Sequence, residues 1–286
     1  MGGVFWLFYS GCDYTFEWKI GLAQSVDGVA WERLDAEPVL APARGGGGAG
    51  VWSYLDPTVV EWPPNSGRLL MVCVEAHSGV DSQLVGFQSC DGVSWEGKWR
   101  LAVPGLAAGP GSRIMNPWLV VRGEGLELFL ASATIDQASG TTSSIIRSRS
   151  RDGESWGQPD ELIRVNDWGL DHPCVVTGRM GDHLWFSRFT ESRWEIRESE
   201  GKGFGWTRPK AVETVTDSPW ETAGILAPCV VRASDGYLMW HLTSSRTSDG
   251  PVSSVFLRRS SDGLRWTKVV DRPVFSAKPG IPFRPG

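Results

Sequence analysis

The chain has 286 residues, 41% hydrophobic and 21% charged, the balance of an ordinary globular protein. Its net charge of −5 offers no attraction to nucleic acid or an anionic membrane surface, and no apolar run approaches the roughly 18–20 residues of a membrane helix. Sixteen Trp beside 35 Gly and 18 Pro point to many strands, many tight turns and a recurrent aromatic position.

The first predicted element is an apolar strand, Val4 to Tyr9. No basic segment precedes it and no small-residue cleavage site follows, so it reads as a strand rather than a secretory signal. The five cysteines (Cys12, Cys73, Cys90, Cys174, Cys229) lack metal-type spacing and read as free thiols. Cys174 and Cys229 both stand in Pro-Cys-Val-Val, where a small buried hydrophobe fits. Together these features point to a cytoplasmic protein.

Next comes Ser25-x-Asp27-Gly28-x-x-Trp31, a hairpin turn in which Gly accepts φ > 0 and the Ser and Asp side chains serve turn amides. The glycine-rich Arg44–Gly50 lacks the Gly-Lys-Ser/Thr of a phosphate loop and reads as a flexible connector. Asp56-Pro57-Thr-Val-Val then opens a complete unit. Proline is tolerated at the first residue of a strand, and the β-branched run suits a strand buried on both faces. A second strand (Leu69 to Val74) and a third (Leu84 to Gln88) lead to the turn Ser89-x-Asp91-Gly92-x-x-Trp95.

The same succession recurs from Asn116-Pro117, with strands Leu126–Leu130 and Ser144–Arg149 and the turn Ser150-x-Asp152-Gly153-x-x-Trp156. It recurs from His172-Pro173, with a strand at Leu184–Phe186 and a degenerate turn, Ser199-Glu-Gly201, running to Trp206. It recurs last from Ala227-Pro228, with strands Tyr237–Leu242 and Ser254–Arg259 and the turn Ser260-x-Asp262-Gly263-x-x-Trp266. The turns advance by 64, 61, 49 and 61 residues, the span of a propeller blade. The predicted fold is all-β: a single five-bladed β-propeller over residues 1–286, with four-stranded antiparallel blades. The first blade lacks an inner strand. Phe283-Arg284-Pro285-Gly286 stops where such a strand would begin, so either the C-terminus completes that blade or the blade is incomplete.

In a propeller the residue before each inner-strand proline is expected at the mouth of the central channel: Asp56, Asn116, His172, Ala227 and, with a closing C-terminal strand, Arg284. The end of each antiparallel second strand adds Tyr9, Ser10, Glu75, His77, Ser132, Arg188 and His241. Loops entering the inner strands add Trp52, Tyr54, Trp168, Asp171, Trp220 and Glu221. Polar groups and flat rings converging on one mouth suit a sugar, whose apolar faces stack on rings while its hydroxyls meet carboxylates and amides. Structural alternatives stand beside these roles. Asp56 could cap an amide, His172 could be a satisfied structural histidine, and His77 and Glu221 could be solvated loop groups.

Trp6-Leu-Phe-Tyr-Ser-Gly11, Ile20 to Gly28 with Trp31, Pro38-Val-Leu40 and Leu55-Asp56-Pro57-Thr-Val-Val60 together resemble the five-bladed propeller glycoside hydrolases, such as arabinanases, β-xylosidases and invertases. The resemblance implies glycosidic-bond chemistry by three carboxylates on blades one, two and three. Asp56 matches the second. The first falls in the absent inner strand, and Asn116 stands where the third, a glutamic acid, would be. Glu75 and Asp171 are substitute acids that could work beside Asp56. The resemblance also allows a calcium near His172, although one histidine is a poor calcium ligand set; no other cofactor is expected. The expected partner is a small molecule or oligosaccharide. Three readings follow: a carbohydrate-active enzyme using Asp56 with Glu75 or Asp171; a non-hydrolytic propeller binding a sugar or small metabolite through Trp52, Tyr54, His77, Asn116, His172, Arg188, Trp220, Glu221 and His241; and a protein-interaction propeller.

Overall fold

The computed structural model describes residues 3–12, 17–34, 37–42, 52–77, 82–106, 111–136, 140–178, 181–202, 205–214, 220–221, 224–247 and 250–276. The glycine-rich connector and the Arg284 segment lie outside the described residues. Those described form β-structure without a helix, so none is long and apolar enough to cross a membrane as a helix.

The strands fall into five sheets in chain order. Sheet one holds β1 (Phe5–Cys12), β2 (Trp18–Ser25) and β3 (Glu32–Arg33). Sheet two holds β4 (Trp52–Glu61), β5 (Leu69–His77), β6 (Ser82–Ser89) and β7 (Glu96–Arg100). Sheet three holds β8 (Ser112–Arg122), β9 (Gly125–Asp136), β10 (Gly140–Ser150) and β11 (Asp160–Val165). Sheet four holds β12 (Leu170–Thr177), β13 (Asp182–Thr190) and β14 (Arg193–Lys202), with the short β15 (Gly205–Trp206) and β16 (Lys210–Ala211) both on β14. Sheet five holds β17 (Glu213–Thr214), β18 (Ile225–Ala233), β19 (Gly236–Thr247), β20 (Gly250–Ser260), β21 (Arg265–Lys268) and β22 (Phe275–Ser276).

The protein is thus a five-bladed β-propeller. The strands predicted from the repeat are present and longer than predicted. Among the described residues the first blade has three strands. Two compact units carry the blades: Met1–Phe5, Ser25–Trp31 and Gly169–Gly286 form one, Trp6–Gln24 and Glu32–Trp168 the other. The second unit holds an apolar cluster built on Leu70, Val72, Leu126, Leu128 and Leu130. The first unit has its own cluster around Trp240, Leu257 and Val274, with Phe5, Val29 and Trp31 packed against it.

The Ser-x-Asp-Gly turns have one construction throughout. At Ser89, Oγ accepts the Gly92 amide at 2.8 Å and donates to Asp91 Oδ1 at 2.9 Å. The same Asp91 oxygen accepts the amides of Val93 at 2.8 Å and Ser94 at 2.7 Å. Those amides, then Ser89, hold the Asp91 carboxyl well below the usual aspartate range, so it stays an acceptor at any ordinary pH. The turns at Asp27, Asp152 and Asp262 repeat these bonds.

The motif tryptophan closes the turn. Trp31, Trp95 and Trp266 each donate Nε1–H to the carbonyl of their own motif glycine at 2.9–3.1 Å. Trp156 departs from this, its buried Nε1 having no acceptor. A second tryptophan then comes from another blade: Trp240 donates to Gly28 O and Trp185 to Gly263 O, each at 2.9 Å. One carbonyl therefore receives two indoles, one on each lone pair. Trp6 lies over Gly92 so closely that a Cβ there would sit 2.1 Å from its ring, at a backbone φ of 76°. Gly92→Ala is expected to cost about 1–3 kcal/mol, from left-handed strain and displacement of Trp6, read as a lower midpoint in denaturant unfolding.

Candidate functional site

The residue before proline has the same unusual backbone in all four inner strands. Asp56, Asn116, His172 and Ala227 have φ of 54°, 51°, 48° and 52°, the left-handed region. At each, the pairing with the second strand slips, between Leu55 and Thr58, Met115 and Trp118, Asp171 and Cys174, and Leu226 and Cys229. This is a β-bulge, which bends a strand and re-aims one side chain. Such a conformation costs a non-glycine residue about 1–3 kcal/mol and persists only where surroundings impose it.

The bulge amides are each captured by a side-chain oxygen. Asp56 donates to Ser10 Oγ at 2.9 Å, Asn116 to Asp56 Oδ2 at 3.2 Å, His172 to Asp171 Oδ1 at 3.1 Å and Ala227 to Ser187 Oγ at 2.8 Å. Two residues further on, Thr58 Oγ1 accepts the Leu119 amide at 3.0 Å, and Cys174 Sγ accepts the Val230 amide at 3.1 Å. Cys174, expected only to fill space, is therefore an inter-blade acceptor. Burial, then neighbouring Cys229, pushes its thiol well above the usual range, so it remains protonated. Because Ala227 keeps the bulge with no polar side chain, the bulge belongs to the scaffold and its occupant can vary.

In the second unit, two alternate cross-strand rungs, on one face of the sheet, precede this position. Trp52 pairs with His77 and Tyr54 with Glu75 across β4 and β5. The Trp52 and His77 rings are 4.6 Å apart, and Trp52 is 40% exposed. Glu75 is buried and both its oxygens are engaged: Gln83 Nε2 donates at 2.6 Å, and Lys98 Nζ at 2.5 Å. The Lys98 ammonium also lies 5.7 Å from the centre of the Tyr54 ring. Burial lowers the Lys98 pKa, but the hydrogen bond it donates to Glu75 and the neighbouring charges outweigh it and hold the lysine charged. Glu75 thus orients both Lys98 and Gln83. Asp56 binds the Asn116 amide, the capping role that stood as its structural alternative.

In the first unit, Asp171 is 6% exposed, and among the described residues no lysine or arginine is paired with it. Desolvation pushes its carboxyl up to about 7, opposed only by the His172 amide, and His172 Nδ1 is 3.8 Å away. Arg188 is the β13 partner of Leu170, one residue before Asp171. His241 does not face solvent. Arg258, fully buried on β20, donates Nε–H to His241 Nε2 at 3.0 Å, so the His241 proton is on Nδ1, 3.2 Å from Leu242 O. Burial, then Arg258, pulls His241 down to about 3, and it is neutral.

Glu221 also departs from expectation. Read as a solvated loop group, it is 5% exposed and ion-paired with Arg258 at 2.6 Å, with both side chains fully covered. This pair fastens the loop carrying the half-exposed Trp220, whose carbonyl accepts Thr243 Oγ1 at 2.5 Å. Gly224 ends that loop at φ 93°, and a Cβ there would lie 2.0 Å from Trp194 O, so no other residue fits.

Lys98 and Arg258 were missed in the sequence reading. Nothing in Glu96-Gly-Lys-Trp flags Lys98. Arg258 was legible through strand alternation, since it shares the inward face of Phe256. His172 gathers no second and third ligand group among the described residues; the three-residue cluster found there is His183, Glu198 and Glu200, in the first unit.

The buried charges set two expectations. An aspartate with a raised folded pKa contributes stability fully below about pH 4, its unfolded value, and loses it as pH rises to about 7. Asp171→Asn should therefore raise the unfolding temperature at pH 8 and leave it near wild type at pH 4. Arg258→Met, which strands the Glu221 carboxylate, should cost about 3–5 kcal/mol in denaturant unfolding at pH 7.

No family model and no curated relative matches the chain. Solved structures do. An N-acetylgalactosamine deacetylase from F. plautii, in complex with blood group B trisaccharide, aligns at TM-score 0.61 and 19% identity, over 79% of this chain and 71% of that one. A Bombyx mori β-fructofuranosidase aligns at TM-score 0.66 and 13% identity, over 93% of this chain and 60% of that one. The α-L-arabinofuranosidase of Podospora anserina, in complex with cellotriose, aligns at 0.59 and 18%, over 84% and 74%. At these identities the likeness is one of fold: the chain shares the five-bladed architecture of the glycoside hydrolases its motifs resemble.

Proposed function

We propose that this protein binds a carbohydrate at the bulged ends of its inner strands. The observation that carries the reading is the bulge itself. One imposed backbone geometry presents Asp56 and Asn116 in successive blades of the second unit, and the strand of Asp56 also carries, ahead of it, the half-exposed ring of Trp52. The scaffold imposes the bulge whatever its occupant, so the polar side chains it re-aims at Asp56 and Asn116 are free to serve a ligand. Rings of this kind stack on the apolar faces of sugars. The carboxylate, amide and ammonium groups of Asp56, Asn116 and Lys98 match hydroxyls. The sugar-handling names of the structural neighbours, and the trisaccharide and cellotriose bound in two of them, support the same reading.

A panel of mono- and oligosaccharides titrated by calorimetry tests it. Binding of at least one member is expected, with Trp52→Ala lowering affinity about tenfold through lost stacking. Absence of binding across a broad panel would overturn it.

Asp171 favours a second reading, in which a glycoside is cleaved at the inner strand of blade four. Glycosidic-bond hydrolysis needs a carboxyl still protonated near neutral pH, and Asp171, lifted to about 7, meets that requirement. Turnover of nitrophenyl furanosides or pyranosides is then expected, abolished by Asp171→Asn with sugar affinity kept. Sugar binding without turnover leaves the protein a non-hydrolytic lectin-like propeller.

A further inference from the structure

An unassigned group of side chains lies in blade four, at the end of β13 remote from Arg188. His183 faces Glu200 across the β13–β14 pair, and Glu198 faces Trp185 two residues along. One ligand atom from each of His183, Glu198 and Glu200 lies within 4.8 Å of the other two. An ion with bonds of about 2.0–2.2 Å sets its ligands roughly 3–4 Å apart, so small rotations bring these atoms onto one centre.

Burial makes this more than a surface cluster. Glu198 is 3% exposed, and among the described residues its hydrogen-bond partner is His183 Nδ1 at 2.8 Å, inside the group itself. A buried carboxylate ordinarily has a cation or several donors bound to it. The nearby ammonium, Lys202, instead holds Glu200 at 2.7 Å. The His183 ring is already oriented: it stacks on Trp185 at 5.4 Å and 17°, and meets Tyr237 at 5.7 Å. A ligand arranged on two paired strands and locked by aromatic packing loses little freedom on binding.

We propose that His183, Glu198 and Glu200 bind a divalent transition-metal cation of the zinc or cobalt class, with water completing its shell. One imidazole and two carboxylates suit such an ion better than calcium, which takes oxygen ligands alone. Lys202 gives up Glu200 as the ion enters. Its side chain is 69% exposed, so release of that contact is inexpensive. The ion ties β13 to β14 beneath Trp185, whose indole bonds to the blade-five turn at Gly263.

Cobalt(II) titrated into the full chain, followed by visible absorption and equilibrium dialysis, tests the site. Thiolate ligation by any of the five cysteines would add an intense charge-transfer band that nitrogen and oxygen ligands lack. One ion per chain without that band is expected, with quenching of tryptophan emission. His183→Ala should abolish binding, and Glu200→Gln should weaken it by about tenfold or more. Lys202→Ala should tighten it about threefold by removing the competing cation. Glu200 and Lys202 are partly exposed, so their variants keep the fold, and their opposite effects separate ligation from loss of structure. No bound cobalt, a thiolate band, or affinity unchanged in all three variants would overturn the proposal.

Discussion

The left-handed residue ahead of each inner-strand proline is the constraint on which the rest depends. Proline has no amide hydrogen to give the ladder, and the residue before it is pushed out of the right-handed helical region. The strand accommodates this with a bulge, and a neighbouring oxygen takes the exposed amide: Ser10, Asp56, Asp171 or Ser187. In three of these the oxygen comes from another blade, so strain within one strand becomes a bond between sheets. Asp56 takes part twice, offering its own amide to Ser10 and its carboxylate to Asn116. A residue so placed positions its neighbour as well as displaying its own side chain.

At the other end of each blade the Asp-Gly turn joins sheets in a complementary way. Its glycine carbonyl gathers indole donors from its own motif and, at Gly28 and Gly263, from a second blade. The abundance of tryptophan follows. These rings are large apolar bodies, each with one donor that must be met when buried, and the turn supplies the acceptor. Trp156 lacks this bond and depends on packing alone.

Between these two fastenings the sheets bury charge in different ways. Glu75 and Lys98 form a pair open to solvent on the lysine side. Glu221 and Arg258 are closed off completely, with a neutral His241 accepting from the same guanidinium. A sealed pair of this kind gains little over apolar packing, but losing either partner is costly, so it selects one loop conformation. That conformation holds Trp220. Asp171, buried with no lysine or arginine paired to it among the described residues, is the carboxyl that desolvation lifts to about 7.

The fold was legible because its signals are local and repeated. Four copies of Ser-x-Asp-Gly-x-x-Trp encode a turn whose serine and aspartate bonds close within the motif, so the sequence alone determined the blades, their number and most of their strands. The x-Pro repeat located the inner strands for the same reason. What those positions do depended on contacts between residues far apart in the chain. Glu75 meets Lys98 across two strands, Asp56 meets an amide 60 residues away, and Glu221 meets Arg258 at a separation of 37. Burial raised Asp171 and lowered His241, and no local pattern records burial. Turn chemistry is a property of neighbours in sequence. The charge state and partner of a side chain are properties of neighbours in space, and only the packed sheets decided those.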